Sequence, residues 1–233
     1  MASTMIRRPA TTKRRRRWPG AGRSISLQNT SPDCDLVRAG MDSRLKLAIV
    51  IYMLEEWAFE FRTAIGRCGL AWTEAGVTGV QLPGDPEGSL ASLIRQGAKK
   101  MKAADVPPEI AEVIEDLKAF LSGRPTGFDG LRLDMKRHSA FERAAYEALR
   151  EVGWGQTVTY GELAARIGRP NGAQAIGIAM GRNSWPVIVP CHRVLGANGW
   201  LGGFSAPGGM LTKKALLARE GVYPDGGQLK LFE

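Results

Sequence analysis

The chain has 233 residues, of which 44% are hydrophobic and 24% charged, with 32 Lys plus Arg against 23 Asp plus Glu and a net charge of +9. Such a composition allows a real hydrophobic core, one or two domains of it. The charge is unevenly placed. Residues 1–32 hold eight basic residues (Arg7, Arg8, Lys13, Arg14, Arg15, Arg16, Arg17, Arg23) and no acid, so residues 33–233 carry a net of +1. A basic average on its own points to nucleic acid or an anionic membrane, but here it describes a tail.

Residues 1–44, rich in Arg, Ser, Thr, Pro and Gly, are expected to be a disordered extension. No apolar stretch of signal-peptide length follows their arginines, so no secretory signal is expected. The apolar run Leu47 to Leu54 is too short to span a membrane and reads as either a core strand or a helix. Three cysteines, Cys34, Cys68 and Cys191, cannot all pair, which is the usage of a reduced, cytoplasmic protein.

Trp57–Phe61, Gly69–Thr73 and Val77–Leu82 read as strands separated by hairpin-type turns. Residues 86–102 and 109–121 have helical spacing. In the second, Ile110, Val113, Ile114, Leu117 and Leu121 recur at steps of three and four behind Pro107 and Pro108. Gly123, Pro125 and Gly127 close a first domain, residues 45–130, of α+β character.

The second domain, residues 131–233, opens with a helix from Ser139 to about Val152. Two short helices follow, Gly161–Ile167 and Gly172–Met180, around the turn Gly168-Arg169-Pro170-Asn171. Small residues there, including Ala173 and Gly177, permit close approach. A helix pair of this kind is either plain packing or a DNA-reading helix–turn–helix. Residues 33–130 carry a net of −4 and residues 131–233 a net of +5, which puts the folded positive charge in the half with that pair.

Val187-Ile188-Val189 reads as a strand ending at Pro190, which lacks an N–H donor. Cys191 and His192 come next. A free cysteine is commonly one more small buried hydrophobe, but one of two histidines here adjoins one of three cysteines, and Arg193 adds a cation. A base or a cation beside a thiol favours the nucleophilic thiolate. Neighbours in an extended segment point to opposite faces, so a direct Cys191–His192 bond would need a turn or a bridging water.

Pro190-Cys191-His192-Arg193-Val194, preceded by Asn183 and followed by a glycine-rich loop and Leu216-Leu217-Ala218-Arg219-Glu220-Gly221, resembles the methylated-DNA–protein-cysteine methyltransferases, the O6-alkylguanine alkyltransferases. Thr157-Val158-Thr159-Tyr160-Gly161-Glu162-Leu163-Ala164 fits the same pattern, and the resemblance covers about residues 57–223. It implies a small ribonuclease-H-like N-terminal domain. It also implies a mostly helical C-terminal domain with a winged-helix or helix–turn–helix element that binds the DNA minor groove. A monomer without cofactor is expected, and no metal, because three scattered cysteines and two histidines make no metal pattern. Cys191 would accept the alkyl group, His192 would act as base through a water, and Glu220 would orient His192. Tyr160 would donate to the departing guanine, Asn183 would brace the active-site turn, and Ser205 would line the pocket for a flipped base. Lys213 matches a basic pocket-side position, although a solvated helix lysine reads equally well. Ala173, Gln174, Gly177, Arg182 and Arg193 would meet DNA.

The chain departs from that pattern at Gln174, where the family usually has an arginine, and at Phe204, where a tyrosine is common. Ala206-Pro207 lengthen the adjoining loop. Three readings follow: one-time alkyl transfer from O6-alkylguanine, with O4-alkylthymine as a further substrate; lesion binding without transfer, as in alkyltransferase-like proteins that lack the cysteine; and a multiple-turnover cysteine hydrolase.

Overall fold

A computed structural model describes residues 55–224. The basic tail, Cys34 and the Leu47–Leu54 run lie outside the described residues. The N-terminal half is built on a meander of β1 (Trp57–Thr63), β2 (Gly66–Thr73) and β3 (Gly76–Gln81), antiparallel throughout, with Trp57 opposite Trp72 and Leu70 opposite Val80. Gly76 is required where it stands. Its φ is +153°, and a Cβ there would lie 2.6 Å from the Arg132 carbonyl oxygen. That close approach lets Val77 exchange hydrogen bonds with the incoming C-terminal segment, donating to Arg132 O (2.9 Å) and accepting from Asp134 N (2.9 Å).

Residues 86–102 are not one helix. Only Ala91–Arg95 (α1) is helical, and Lys99–Lys100 (β4) joins the sheet parallel to β1, giving the order β3-β2-β1-β4. The cause is a buried side chain that helical periodicity cannot register. Gln81 accepts from Ser92 N (3.2 Å) and Ser92 Oγ (2.6 Å) and donates to Asp85 (2.9 Å) and Gly88 O (3.2 Å), coiling the start of the segment into turns. Beyond α1, Lys99 N and Met101 N donate to Glu56 O (2.7 Å) and Ala58 O (2.8 Å) of the β1 edge.

The longer helices follow their sequence signals. α2 (Pro108–Leu121) buries Ile110, Val113, Ile114, Leu117, Phe120 and Leu121 on the face that meets β1. α3 (Ala140–Arg150) and α4 (Tyr160–Arg166) each begin with a capping box, Ser139 with Glu142 and Thr159 with Glu162. α4 packs on α5 (Ala173–Gly181) as the expected helix–turn–helix. β5 (Val158–Thr159) pairs in parallel with β6 (Val194–Leu195), and α6 (Gly209–Arg219) closes the described chain. The hydrophobic core runs without a break from Phe61 through Phe120 and Tyr146 to Leu216. The class is the α+β expected.

The Val187–Val189 strand is a second departure. Prolines at 186 and 190 remove donors on both sides, so the segment closes on itself: Val189 N donates to Trp185 O (2.8 Å), and Val187 takes a φ of +79°.

Candidate active site

Cys191, His192 and Arg193 form a single turn of 3₁₀ helix between Pro190 and β6. This turn answers the geometric objection to adjacent residues cooperating, because the side chains no longer alternate across a strand. Cys191 is buried, and its Sγ receives a hydrogen bond from Asn183 Nδ2 at 3.0 Å. The same Nδ2 donates to Val189 O (2.9 Å), while Asn183 Oδ1 accepts from Trp185 N (2.9 Å). Burial pushes the Cys191 thiol pKa up, and the Asn183 bond and the Lys213 charge oppose that rise.

His192 is fully buried behind the cysteine, with Nε2 2.8 Å from Glu220 Oε1. Burial holds the His192 pKa below the ordinary value, with Glu220 working the other way, so the imidazole is neutral. A carboxylate only accepts, so Nε2 carries the proton and Nδ1 keeps the lone pair. Nδ1 is buried without a hydrogen-bond partner among the described residues. For Glu220, burial pushes the carboxyl pKa up, but hydrogen bonds from His192 and Arg193 and the Arg193 charge outweigh it and hold it at about 2.

Arg193 does not lie at the DNA surface that the resemblance implies; it is buried. Its guanidinium donates to Glu220 from Nε (2.9 Å to Oε2) and from a terminal nitrogen (2.8 Å to Oε1), and to the Val152 carbonyl (2.5 Å). Its charge is spent on Glu220. Lys213 is likewise buried rather than solvated, donating to Val194 O (2.6 Å) and to Leu201 O. Burial lowers its pKa to about 8, against the pull of Cys191.

Cys191 lines a cavity of about 350 Å³ together with Asn183, Ser184, Pro186, Phe204 and Ser205. Tyr160 begins α4 over the loop 202–205: a Cβ on Gly202 (φ +66°) would lie 2.8 Å from its hydroxyl. Burial first, and then the charge of Cys191, raise the Tyr160 pKa, so the phenol stays protonated. On α5, Ala173 and Gly177 are half-buried and Gln174 is exposed; Arg182, just past the helix, is also exposed and reaches Glu142 at 3.4 Å. Arg182 lines the same cavity as Cys191, whereas Ala173, Gln174 and Gly177 are not part of its wall.

A family model described as the DNA-binding domain of 6-O-methylguanine DNA methyltransferase matches residues 140–222, from α3 to just past α6. A methylated-DNA–protein-cysteine methyltransferase of Methanosarcina acetivorans is 37% identical over 152 residues, which is 64% of this chain and 95% of that protein. The chain belongs to the methylated-DNA–protein-cysteine methyltransferases, a family of enzymes. A methyltransferase of the same name from Mycolicibacterium paratuberculosis is 44% identical over 114 residues, 49% of this chain and 67% of that protein. The crystal structure of Mycobacterium tuberculosis OGT in complex with DNA is similar with a TM-score of 0.58 and 33% identity, covering 70% of this chain and 92% of that one.

The sequence reading of this methyltransferase missed what the N-terminal half brings to the cavity. Gly79, Gln81 and Ser92 form part of its wall. Nothing in the local pattern of β3 marks it as facing a cysteine more than a hundred residues away. Among the described residues no cluster of three or more His, Cys, Asp or Glu could hold a metal, and no helix is long and apolar enough to cross a membrane.

Proposed function

We infer that the protein repairs double-stranded DNA by moving the alkyl group of O6-alkylguanine onto its own Cys191, once per molecule. The observation that carries this reading is the cavity-lining thiol, hydrogen-bonded by Asn183 and backed by neutral His192 on Glu220. This is the nucleophile, base and orienting-acid order of a hydrolytic triad put to alkyl transfer. The damaged base must leave the stack to reach a buried sulfur, at a cost of a few kcal/mol that a poorly pairing lesion reduces. α5 enters the minor groove, where Ala173 and Gly177 allow close approach, Gln174 faces the gap left by the base and Arg182 meets a phosphate. Residues 131–233 form the DNA-handling domain, residues 45–130 support it, and the protein works as a monomer.

The thiol proton passes through a water to His192 Nδ1. The thiolate attacks the alkyl carbon, the S–C bond forms, and the C–O6 bond breaks with its electron pair moving to the guanine. The ring takes up a proton, aided by the Tyr160 hydroxyl, and the imidazolium returns its own to solvent. The products are S-alkylcysteine and unmodified guanine. A thioether offers no carbonyl for water to attack, so the sulfur is not regenerated.

Incubation with duplex DNA carrying O6-methylguanine, followed by intact mass, tests this. The expected result is a gain of one methyl on Cys191, saturating at one per chain. Lesion binding without a mass change would establish a sensor, and demethylation by Cys191→Ala would overturn the assignment.

A further inference from the structure

The bonds that hold Asn183 against Cys191 do not end at Asn183. They run on into the N-terminal sheet through Trp185, a residue the transfer chemistry does not use. Its indole is fully buried, with Nε1 donating to Val77 O of β3 at 2.8 Å. Next to it, Ser184 O accepts from Val80 N of the same strand at 2.8 Å. Two bonds therefore fasten residues 184 and 185 to β3. The ring packs against His138 and Tyr146, with centroids 4.8 and 5.8 Å away, and those two rings are themselves 5.3 Å apart.

From this anchor the backbone reaches the sulfur in short steps. Trp185 N donates to Asn183 Oδ1 (2.9 Å), Trp185 O accepts from Val189 N (2.8 Å), and Val189 O accepts from both Cys191 N (2.8 Å) and Asn183 Nδ2 (2.9 Å). The amide that meets Sγ at 3.0 Å is thus bonded through its oxygen to Trp185 and through its nitrogen to the loop that Trp185 closes.

The loop that these bonds close is also strained. Val187, inside the loop they close, has φ +79° and is buried. A β-branched residue at positive φ is strained and persists only where its surroundings over-determine it. The loop between anchor and cysteine is held in a conformation its own sequence disfavours.

We propose that Trp185 is a positioning residue for alkyl transfer, through which β3 of the N-terminal half fixes the Asn183–Cys191 contact. This rests on Cys191 being the acceptor. A tryptophan that merely fills the core needs only some partner for its N–H, and would affect how much protein is folded rather than how fast the folded protein reacts.

Single-turnover transfer at saturating O6-methylguanine duplex separates the two roles, because the amplitude counts folded molecules and the rate constant reports positioning. Trp185→Phe keeps a ring and loses the indole N–H. It should slow the rate constant about five- to tenfold, with amplitude and lesion affinity within twofold of the parent. An unchanged rate constant, or a loss confined to amplitude, overturns the proposal. Failure of the parent to transfer at all would instead overturn the acceptor assignment.

A measurement on the unaltered chain decides the matter should the variant not fold. In ¹⁵N-tryptophan-labelled protein, the Trp185 indole resonance should shift when Cys191 is methylated, and its hydrogen exchange should quicken. An indole signal unmoved in both respects would mean that anchor and sulfur are not coupled.

Discussion

Glu220 holds His192 and Arg193 on one carboxylate: Oε1 lies 2.8 Å from His192 Nε2 and 2.8 Å from an Arg193 terminal nitrogen, and Oε2 lies 2.9 Å from Arg193 Nε. Gly155 N adds a further bond to Oε2 at 3.0 Å. The acid that orients the base is thus also the counter-charge of a buried arginine. Glu220→Gln keeps the shape and leaves the guanidinium uncompensated, which costs about 3–5 kcal/mol when a buried pair loses one partner. Urea unfolding should show that loss, along with slower methyl transfer by the remaining folded protein. A variant as stable as the parent would mean that Arg193 finds its stabilisation elsewhere.

The same carboxylate makes stability depend on pH in a defined direction. Folding lowers its pKa from the ordinary 4.5 to about 2, so the unfolded chain binds a proton more readily than the folded one. The contribution is complete above about pH 4.5 and fades as pH falls through the folded value near 2. Unfolding midpoints measured from pH 6 to pH 2 should decline steeply in the lower part of that range, and Glu220→Gln should flatten the decline. Parallel curves for the two proteins would show that other carboxylates control acid unfolding.

Gly202 sets how closely the loop can pass Tyr160. Its φ of +66° disfavours any side chain, and a Cβ would meet the Tyr160 hydroxyl at 2.8 Å and ring carbons at 3.3 and 3.5 Å. Tyr160 starts a capped helix and cannot retreat freely. Gly202→Ala should therefore slow methyl transfer about tenfold or more, comparable with removal of the hydroxyl in Tyr160→Phe. Since both changes act on one group, the double variant should be little slower than either single one. Fully multiplicative losses would mean that Gly202 acts on something other than Tyr160.

What the sequence revealed follows from how local each cause is. α2 shows in the spacing of Ile110 through Leu121, and α3 in Ser139 at its start, because periodicity and capping act within a few residues. The helix expected over 86–102 failed because Gln81, from another element, takes up the polar groups of Ser92. Val187–Val189 has strand-like side chains, yet prolines at both ends and the anchor at Trp185 bend it into a turn. At the site, Cys191 and His192 stand out by adjacency, whereas Glu220 was reached only through the family pattern. Arg193 was misplaced because a charge in a sequence does not reveal whether an acid 27 positions away will bury it.

Gln174 offers the sharpest test of how this chain handles DNA. It stands exposed in the first turn of α5, where the family usually has an arginine. A glutamine can hydrogen-bond an orphaned cytosine, but it carries no charge to release counterions from the duplex. Nearby, Arg182 has 69% of its side chain exposed but shares its charge with Glu142 at 3.4 Å, so it does not fully replace that cation. Gln174→Arg should tighten binding to O6-methylguanine duplex and steepen the slope of log K against log salt by about 0.9, the increment for one added phosphate contact. Transfer at sub-saturating DNA should quicken, while the rate constant at saturation changes less, because the new cation acts on the bound duplex rather than on Cys191. If affinity, salt slope and transfer all stay at the parent's values, the side chain at 174 does not reach the duplex and the placement of α5 in the groove is wrong.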